Sequence, residues 1–253
     1  MLNITAIPAL RDNYIWAIHD QRHAIVVDPG EAAPVRDFLL HQGVELTAIL
    51  CTHRHWDHVG GIAELRAVYN VPVYGRSHPQ NPHITDPLAE GDQLVLRAPA
   101  IRFEIWETPG HLQDHIVFIT AGAVFCGDIL FGGCCGKNFE GSLEELRHSL
   151  QRLSTLPDDT RVYCAHEYTE YNLPFALRCE PHNAALRRRM EETTRLRRNA
   201  QSTVPFTIGM EKATNPFLRC TSPELLATLQ ERGLQDKSET AVFAALTAWR
   251  AQF

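Results

Sequence analysis

The chain has no apolar run approaching the ~18 residues of a membrane-spanning helix, so no such helix is expected. Its N-terminus, Met1-Leu2-Asn3-Ile4-Thr5-Ala6-Ile7-Pro8, lacks a basic segment followed by an apolar stretch. It reads as a first strand, not a signal peptide. No CxxC pair occurs among the seven cysteines, Cys51, Cys126, Cys134, Cys135, Cys164, Cys179 and Cys220. An odd, scattered set in or beside apolar runs points to reduced core thiols in a reducing compartment, hence a cytoplasmic protein. The vicinal Cys134-Cys135 pair reads as small buried loop residues. Internal repeats and low-complexity segments are absent.

Positive charge is scarce in the first two thirds. Residues 1–168 carry 12 Lys+Arg against 21 Asp+Glu, a net of −9, whereas residues 169–253 carry 12 against 9, a net of +3. The acidic part argues against a nucleic-acid substrate, since polyanions need a positive surface. The basic part suits a small anionic substrate. Its arginine-rich run, Arg187 to Arg198, is interrupted by Glu191 and Glu192 at helical spacing and reads as a solvated helix face.

A length of 253 residues with 44% hydrophobic content allows a main domain and a smaller appendage. Short β-like runs dominate the first part, at 2–7, 14–18, 24–28, 48–52, 71–74, 93–96, 102–107, 115–119, 123–126 and 161–164. Helical patterns lie among them at 34–41 and 59–69, and Ser142 with Glu145 forms a capping box that opens another. Many strands with helices outside them predict an α/β sandwich of two facing sheets. Beyond residue 169 the pattern is almost continuously helical. The boundary is therefore placed between 1–168, the α/β domain, and 169–253, a helical domain.

The chemistry concentrates in residues 52–58, Thr-His-Arg-His-Trp-Asp-His, directly after an apolar run at 46–50. Four metal-competent side chains, His53, His55, Asp57 and His58, fall within six positions. Imidazole and carboxylate suit zinc, iron or manganese. His53 and His55, two apart, converge from a strand end, while the adjacent Asp57 and His58 point differently, as if toward a second metal. Three further strand ends offer His111 (in Thr108-Pro109-Gly110-His111), Asp128 (in Cys126-Gly127-Asp128) and His166 (in Ala165-His166-Glu167). A carboxylate at 128 is suited to bridge two metals. Each is weak alone, but four strand ends with such ligands predict a two-metal site.

In this order and spacing, THRHWDH, TPGH, CGD and AHEYT resemble the metallo-β-lactamase superfamily, and within it glyoxalase II, the hydroxyacylglutathione hydrolases. The resemblance runs over nearly the whole chain and includes Asn215-Pro216-Phe217-Leu218-Arg219. It implies a four-layer αββα sandwich with a smaller all-helical C-terminal domain that binds substrate. It implies one metal on His53, His55 and His111, another on Asp57, His58 and His166, and Asp128 bridging, with zinc the foremost choice and iron or manganese the alternatives. It also implies hydrolysis of S-D-lactoylglutathione and related 2-hydroxyacyl thioesters by a metal-bridging hydroxide, the second step of methylglyoxal detoxification. Asp57 and Asp128 would serve catalysis as ligands, Asp57 helping to orient the nucleophile. Lys137, Phe139, Tyr168 and Arg219 would contact glutathione. The partner is then a small-molecule thioester, with no nucleic acid or membrane, and the chain is expected to be a monomer.

Some positions depart from the family pattern. Leu112-Gln113-Asp114-His115 replaces Thr-x-Gly-His, two cysteines stand where one is usual, and Phe139 replaces a tyrosine found in some relatives. The rival readings are another hydrolase of the superfamily, a persulfide-oxidising relative with a single iron, and a non-catalytic metal-binding protein on the same fold. The single-iron reading expects an incomplete second ligand set, whereas Asp57, His58 and His166 are all present.

Overall fold

A computed structural model describes residues 2–253. The first sheet contains β1 (Asn3–Ala9), β2 (Asn13–His19), β3 (His23–Val27), β4 (Glu45–Leu50), β5 (Val73–Gly75) and β6 (Asp86–Pro87), in that spatial order. β1 to β3 form an antiparallel meander, and β4 to β6 add in parallel. Parallel strands require crossovers. The one from β3 to β4 is α1 (Ala32–Gln42); the one from β4 to β5 contains α2 (Trp56–Val59) and α3 (Ile62–Tyr69). The single helix expected at 59–69 is thus two, parted at Gly60-Gly61.

The second sheet begins with β7 (Gln93–Arg97), β8 (Ala100–Glu107), β9 (Ile116–Thr120) and β10 (Ala123–Gly127) as antiparallel neighbours. A small hairpin follows, β11 (Leu130–Phe131) with β12 (Cys134–Cys135), and then α4 (Leu143–Ser154). The predicted capping box opens α4: Ser142 Oγ accepts from Glu145 N–H, and the Glu145 carboxylate accepts from Ser142 N–H. β13 (Arg161–Cys164) then pairs in parallel with β10.

Strand alternation makes the layers. In β2, Trp16 and Ile18 face the second sheet, where Phe103, Phe118 and Phe125 complete one core. Ile15 and Ala17, on the opposite face, pack with Val35, Leu39, Ile62 and Leu65 of α1 and α3. The molecule is therefore a mixed α/β sandwich of two sheets flanked by helices, as expected.

The C-terminal region holds α5 (Thr169–Cys179), α6 (Ala184–Arg198), α7 (Ile208–Thr214), a 3₁₀ turn (Pro216–Leu218), α8 (Pro223–Glu231) and α9 (Glu239–Arg250). One element departs from the helical pattern. β14 (Phe206–Thr207) pairs antiparallel with β13 and supplies the edge strand of the second sheet. Two residues are too short a run to show alternation in the sequence. Phe217, Leu225, Phe243 and Leu246 share the inter-sheet core with Leu146 and Leu150 of α4, so this region packs on the sandwich by apolar burial.

Candidate metal centre

β4, β8, β10 and β13 all end toward one rim of the sandwich. Past the end of β4 the chain runs through His53 and His55 into the turn of α2, which carries Asp57 and His58. The turn beneath α2 is tight at Gly30, where a Cβ would lie 2.0 Å from the Asp57 carbonyl oxygen. The loop after β8 presents His111. It passes through Gly110 at φ 130°, where a Cβ would strike the Leu146 backbone at 2.4 Å. Asp128 follows β10, and His166 follows β13. The two sheets meet here through Tyr14 N–H, which donates to Ala165 O at 2.7 Å.

The structure brings all seven predicted side chains together. Ligand atoms of His53, His55, His111 and Asp128 lie within 4.8 Å of one another, as do those of Asp57, His58 and His166. His55 Nδ1 stands 3.0 Å from both His53 Nε2 and His111 Nε2. His166 Nε2 is 3.4 Å and His58 Nε2 3.5 Å from Asp57 Oδ2. Asp128, a member of the first group, also faces the second. Its Oδ2 is 3.6 Å from His111 Nε2, and its Oδ1 is 3.4 Å from His166 Nε2 and 3.5 Å from His58 Nε2.

Ring orientations are set from behind, the arrangement that fixes which imidazole nitrogen faces inward. Asp28 Oδ2 lies 3.0 Å from His58 Nδ1, and the same carboxylate accepts from Thr52 N–H and Thr52 Oγ1, each at 2.7 Å. Asp12 Oδ1 lies 2.8 Å from His166 Nδ1. The Lys137 carbonyl lies 2.9 Å from His111 Nδ1. Asn13 Nδ2 donates to Asp57 Oδ2 at 3.0 Å. Asp12, Asn13 and Asp28 are not among the site residues expected from the sequence; their contacts span up to 154 positions, which no local spacing reveals.

The electrostatics divide the histidines. Burial holds His53 well below the ordinary imidazole value and lowers His111 to about 4. Burial also disfavours protonation of His166 and His58. The Asp128 carboxylate, with Asp57 and Asp28 respectively, outweighs it, raising His166 to about 10 and His58 well above its usual range. Burial pushes the Asp128 carboxyl up, but His58 and His166 hold it well below the usual carboxylate range. His58 Nε2 and Asp128 Oδ1 are buried with no hydrogen-bond partner. Two facing buried atoms without hydrogen-bond partners, in a set of five imidazoles and two carboxylates, fit a pair of divalent cations.

A cavity of about 780 Å³ opens beside the cluster, lined by Lys137, Tyr168, Tyr171, Cys134, Arg11 and Arg250 among others. Tyr168 stacks on His166, with centroids 4.6 Å apart and planes at 8°. Burial raises its phenol pKa, so it remains a donor at neutral pH. Phe139 sets its ring edge-to-face against His55 and His111, both at 5.3 Å, with Lys137 Nζ 5.0 Å from its centroid.

Arg219 does not line this cavity. It pairs with the fully buried Glu180 through Nε at 2.7 Å and donates to Lys212 O at 3.0 Å. Arg250, near the end of α9, supplies a cation to the cavity that the sequence reading missed. A lone arginine in a terminal helix looks like any solvated charge. Tyr171 lies one helical turn beyond Tyr168, a spacing that could have been read as a shared face.

Comparison with known proteins agrees along the whole chain. The family described as "Metallo-beta-lactamase superfamily" matches residues 9–166, and "Hydroxyacylglutathione hydrolase C-terminus" matches residues 167–253. The hydroxyacylglutathione hydrolase of Aliivibrio salmonicida is 46% identical over 255 residues, covering 100% of both chains. That of Nitrosomonas europaea is 42% identical, covering 100% of this chain and 97% of its own. Among solved structures, ETHE1 from Myxococcus xanthus superposes with TM-score 0.66 at 24% identity, over 100% of this chain and 99% of that one. TTHA1623 in a di-iron-bound form gives TM-score 0.61 at 26% identity, over 85% of this chain and 100% of that one.

Proposed function

We propose, for a chain that belongs to the hydroxyacylglutathione hydrolase family of the metallo-β-lactamase superfamily, that it is a metal-dependent thioesterase cleaving S-D-lactoylglutathione and related 2-hydroxyacyl thioesters. Residues 1–168 form its metal-bearing unit and residues 169–253 a helical unit contributing to substrate binding. The observation that carries the reading is Asp128, whose two oxygens face two separate histidine groups. The single-iron reading would leave Asp57, His58 and His166 without a task.

His53, His55 and His111 would hold one cation and Asp57, His58 and His166 the other, with Asp128 between them. When bound, such a pair lowers the pKa of water from about 16 toward roughly 7 and polarises a carbonyl oxygen. Asn13 donates to Asp57 and fixes its rotamer; Asp57 would help to hold a cation and to orient the nucleophile. Phe139 covers His55 and His111 and limits water entry from that side. Tyr168 offers a phenolic donor to the peptide, and Lys137 with Arg250 attracts its carboxylates. A thiolate is a good leaving group, so the absence of a strong general acid among these residues suits a thioester better than an amide. Arg219 would act on substrate only through Glu180.

Zinc is the cation we favour. The di-iron form of TTHA1623 supports iron as the alternative, because nitrogen and oxygen donors accept either. Both ligand groups and the cleft come from one chain, which supports a monomer as the working unit. Seven free thiols, six of them buried, support a reducing, cytoplasmic setting. The test is turnover of S-D-lactoylglutathione with metal analysis of the same sample. Rapid hydrolysis with about two metals per chain, lost on chelation, is the expected result; two metals without turnover would move the substrate elsewhere in the superfamily.

A further inference from the structure

The loop that carries His53 and His55 holds another largely buried charge between them. The Arg54 side chain is 9% exposed, and its guanidinium is divided among three other segments. One terminal nitrogen pairs with Asp114 and the other with Glu140, while Nε donates to Gln80 Oε1 at 3.1 Å. Asp114 is 2% exposed and lies three residues past His111. Glu140 follows Phe139 and also accepts from Gln113 N–H at 3.1 Å. A planar guanidinium satisfies two carboxylates at once, whereas a lysine ammonium is a single compact charge on a flexible stem.

The segment held by Glu140 is one wall of the cleft. Its inner end is tied to the His111 loop. Phe139 N–H donates to His111 O at 3.1 Å, and Asn138 Nδ2 donates to Gly110 O at 2.6 Å. Its outer end is tied by Arg54. On the segment so tied, Lys137 lines the substrate cavity and Phe139 sets its ring against the imidazoles.

We propose that Arg54 is a positioning residue for thioester binding, locking the wall at residues 137–141 against the metal-ligand loop through Glu140 and Asp114. This rests on the glutathione-thioester reading and adds residues which that reading leaves without a role. A bridge that merely held the fold together would register in metal content and stability. A bridge that sets the wall registers in KM and in affinity for glutathione derivatives.

Glu140→Ala cuts the ties of the wall to Arg54 and to Gln113 N–H and leaves the buried Arg54–Asp114 pair in place. Arg54→Lys keeps the charge but cannot span both carboxylates. Each variant is assayed on the metal-loaded full chain for kcat and KM with S-D-lactoylglutathione, metals per chain, and calorimetric Kd for S-hexylglutathione. The expected result is a rise of about tenfold in KM and Kd for Glu140→Ala, with kcat and metal content within about twofold, and a rise in the same direction for Arg54→Lys. Unchanged KM and Kd in both variants would overturn the inference. So would a rise that appears only alongside loss of metal. If the wild-type protein binds S-hexylglutathione but does not hydrolyse the thioester, the catalytic reading falls and the Kd values alone decide the role of Arg54. If it does neither, both fall.

Discussion

Asp128 Oδ1 and His58 Nε2 face each other 3.5 Å apart, both buried and neither with a hydrogen-bond partner. Two buried polar atoms left in this way are costly unless something else satisfies them. On the other side of the same carboxylate, Oδ2 stands 3.6 Å from His111 Nε2. A side chain serving both groups at once cannot be replaced by one that serves either.

Asp128→Ala is therefore expected to abolish binding of both cations together, not of one. Metal analysis should find well under one ion per chain. Turnover should fall by about 1000-fold, equivalent to about 4 kcal/mol of barrier. Full occupancy with lost activity would instead assign Asp128 a role in the chemical step alone.

Asp28 tests the layer behind the ligands. It sits at φ 53°, a conformation that aspartate tolerates better than most residues, and its carboxylate serves His58 and Thr52 together. Asp28→Ala removes the group that keeps Nδ1 of His58 turned away from the site. A loss of metal affinity of 10–100-fold is expected, read by competition with a chromophoric chelator. Unchanged affinity would mean that packing alone orients His58.

The pH dependence of the stripped protein follows from the raised histidines. His166 is held at about 10 in the folded chain against about 6.5 in an unfolded one. Its pairing with Asp57 and Asp128 thus contributes stability fully below pH of about 6.5 and loses it as pH rises through about 10. After chelation, Tm should drop from pH 7 to 10 by more than Tm of the metal-loaded protein, whose bound imidazoles have no proton to lose. Parallel pH profiles for the two forms would sink this account.

The clustering of the seven candidate ligand side chains was legible because His111, Asp128 and His166 follow strands whose apolar runs are visible, and because His53 to His58 are nearly contiguous after another such strand. The sequence carried the walls poorly. The departure at Leu112-Gln113-Asp114 looked like an isolated irregularity, yet Asp114 is neutralised by Arg54, 60 positions away. β14 escaped notice because two residues show no period, and the predicted helix at 59–69 concealed the break at Gly60-Gly61. Long-range pairing, not local pattern, decided each of these.

Arg219 and Arg250 illustrate the same limit and can be told apart by one pair of variants. Both are basic residues of the C-terminal region, and only placement separates them. Arg219 holds Glu180, a fully buried carboxylate whose other oxygen it also contacts, at 3.0 Å. Removing one partner of such a pair leaves an uncompensated buried charge, at a cost of about 3 kcal/mol or more. Arg219→Ala should consequently lower Tm sharply while the folded fraction keeps its KM. Arg250 stands over the rings of Tyr171 and Phe175 at the cleft, with Cys134 beside its guanidinium. Arg250→Ala should raise KM by about tenfold, with a smaller effect on kcat, because a distant carboxylate contact is made equally in ground and transition states. The reverse pattern, KM governed by Arg219 and stability by Arg250, would require the glutathione moiety to lie outside the cavity bounded by Lys137, Tyr168 and Arg250.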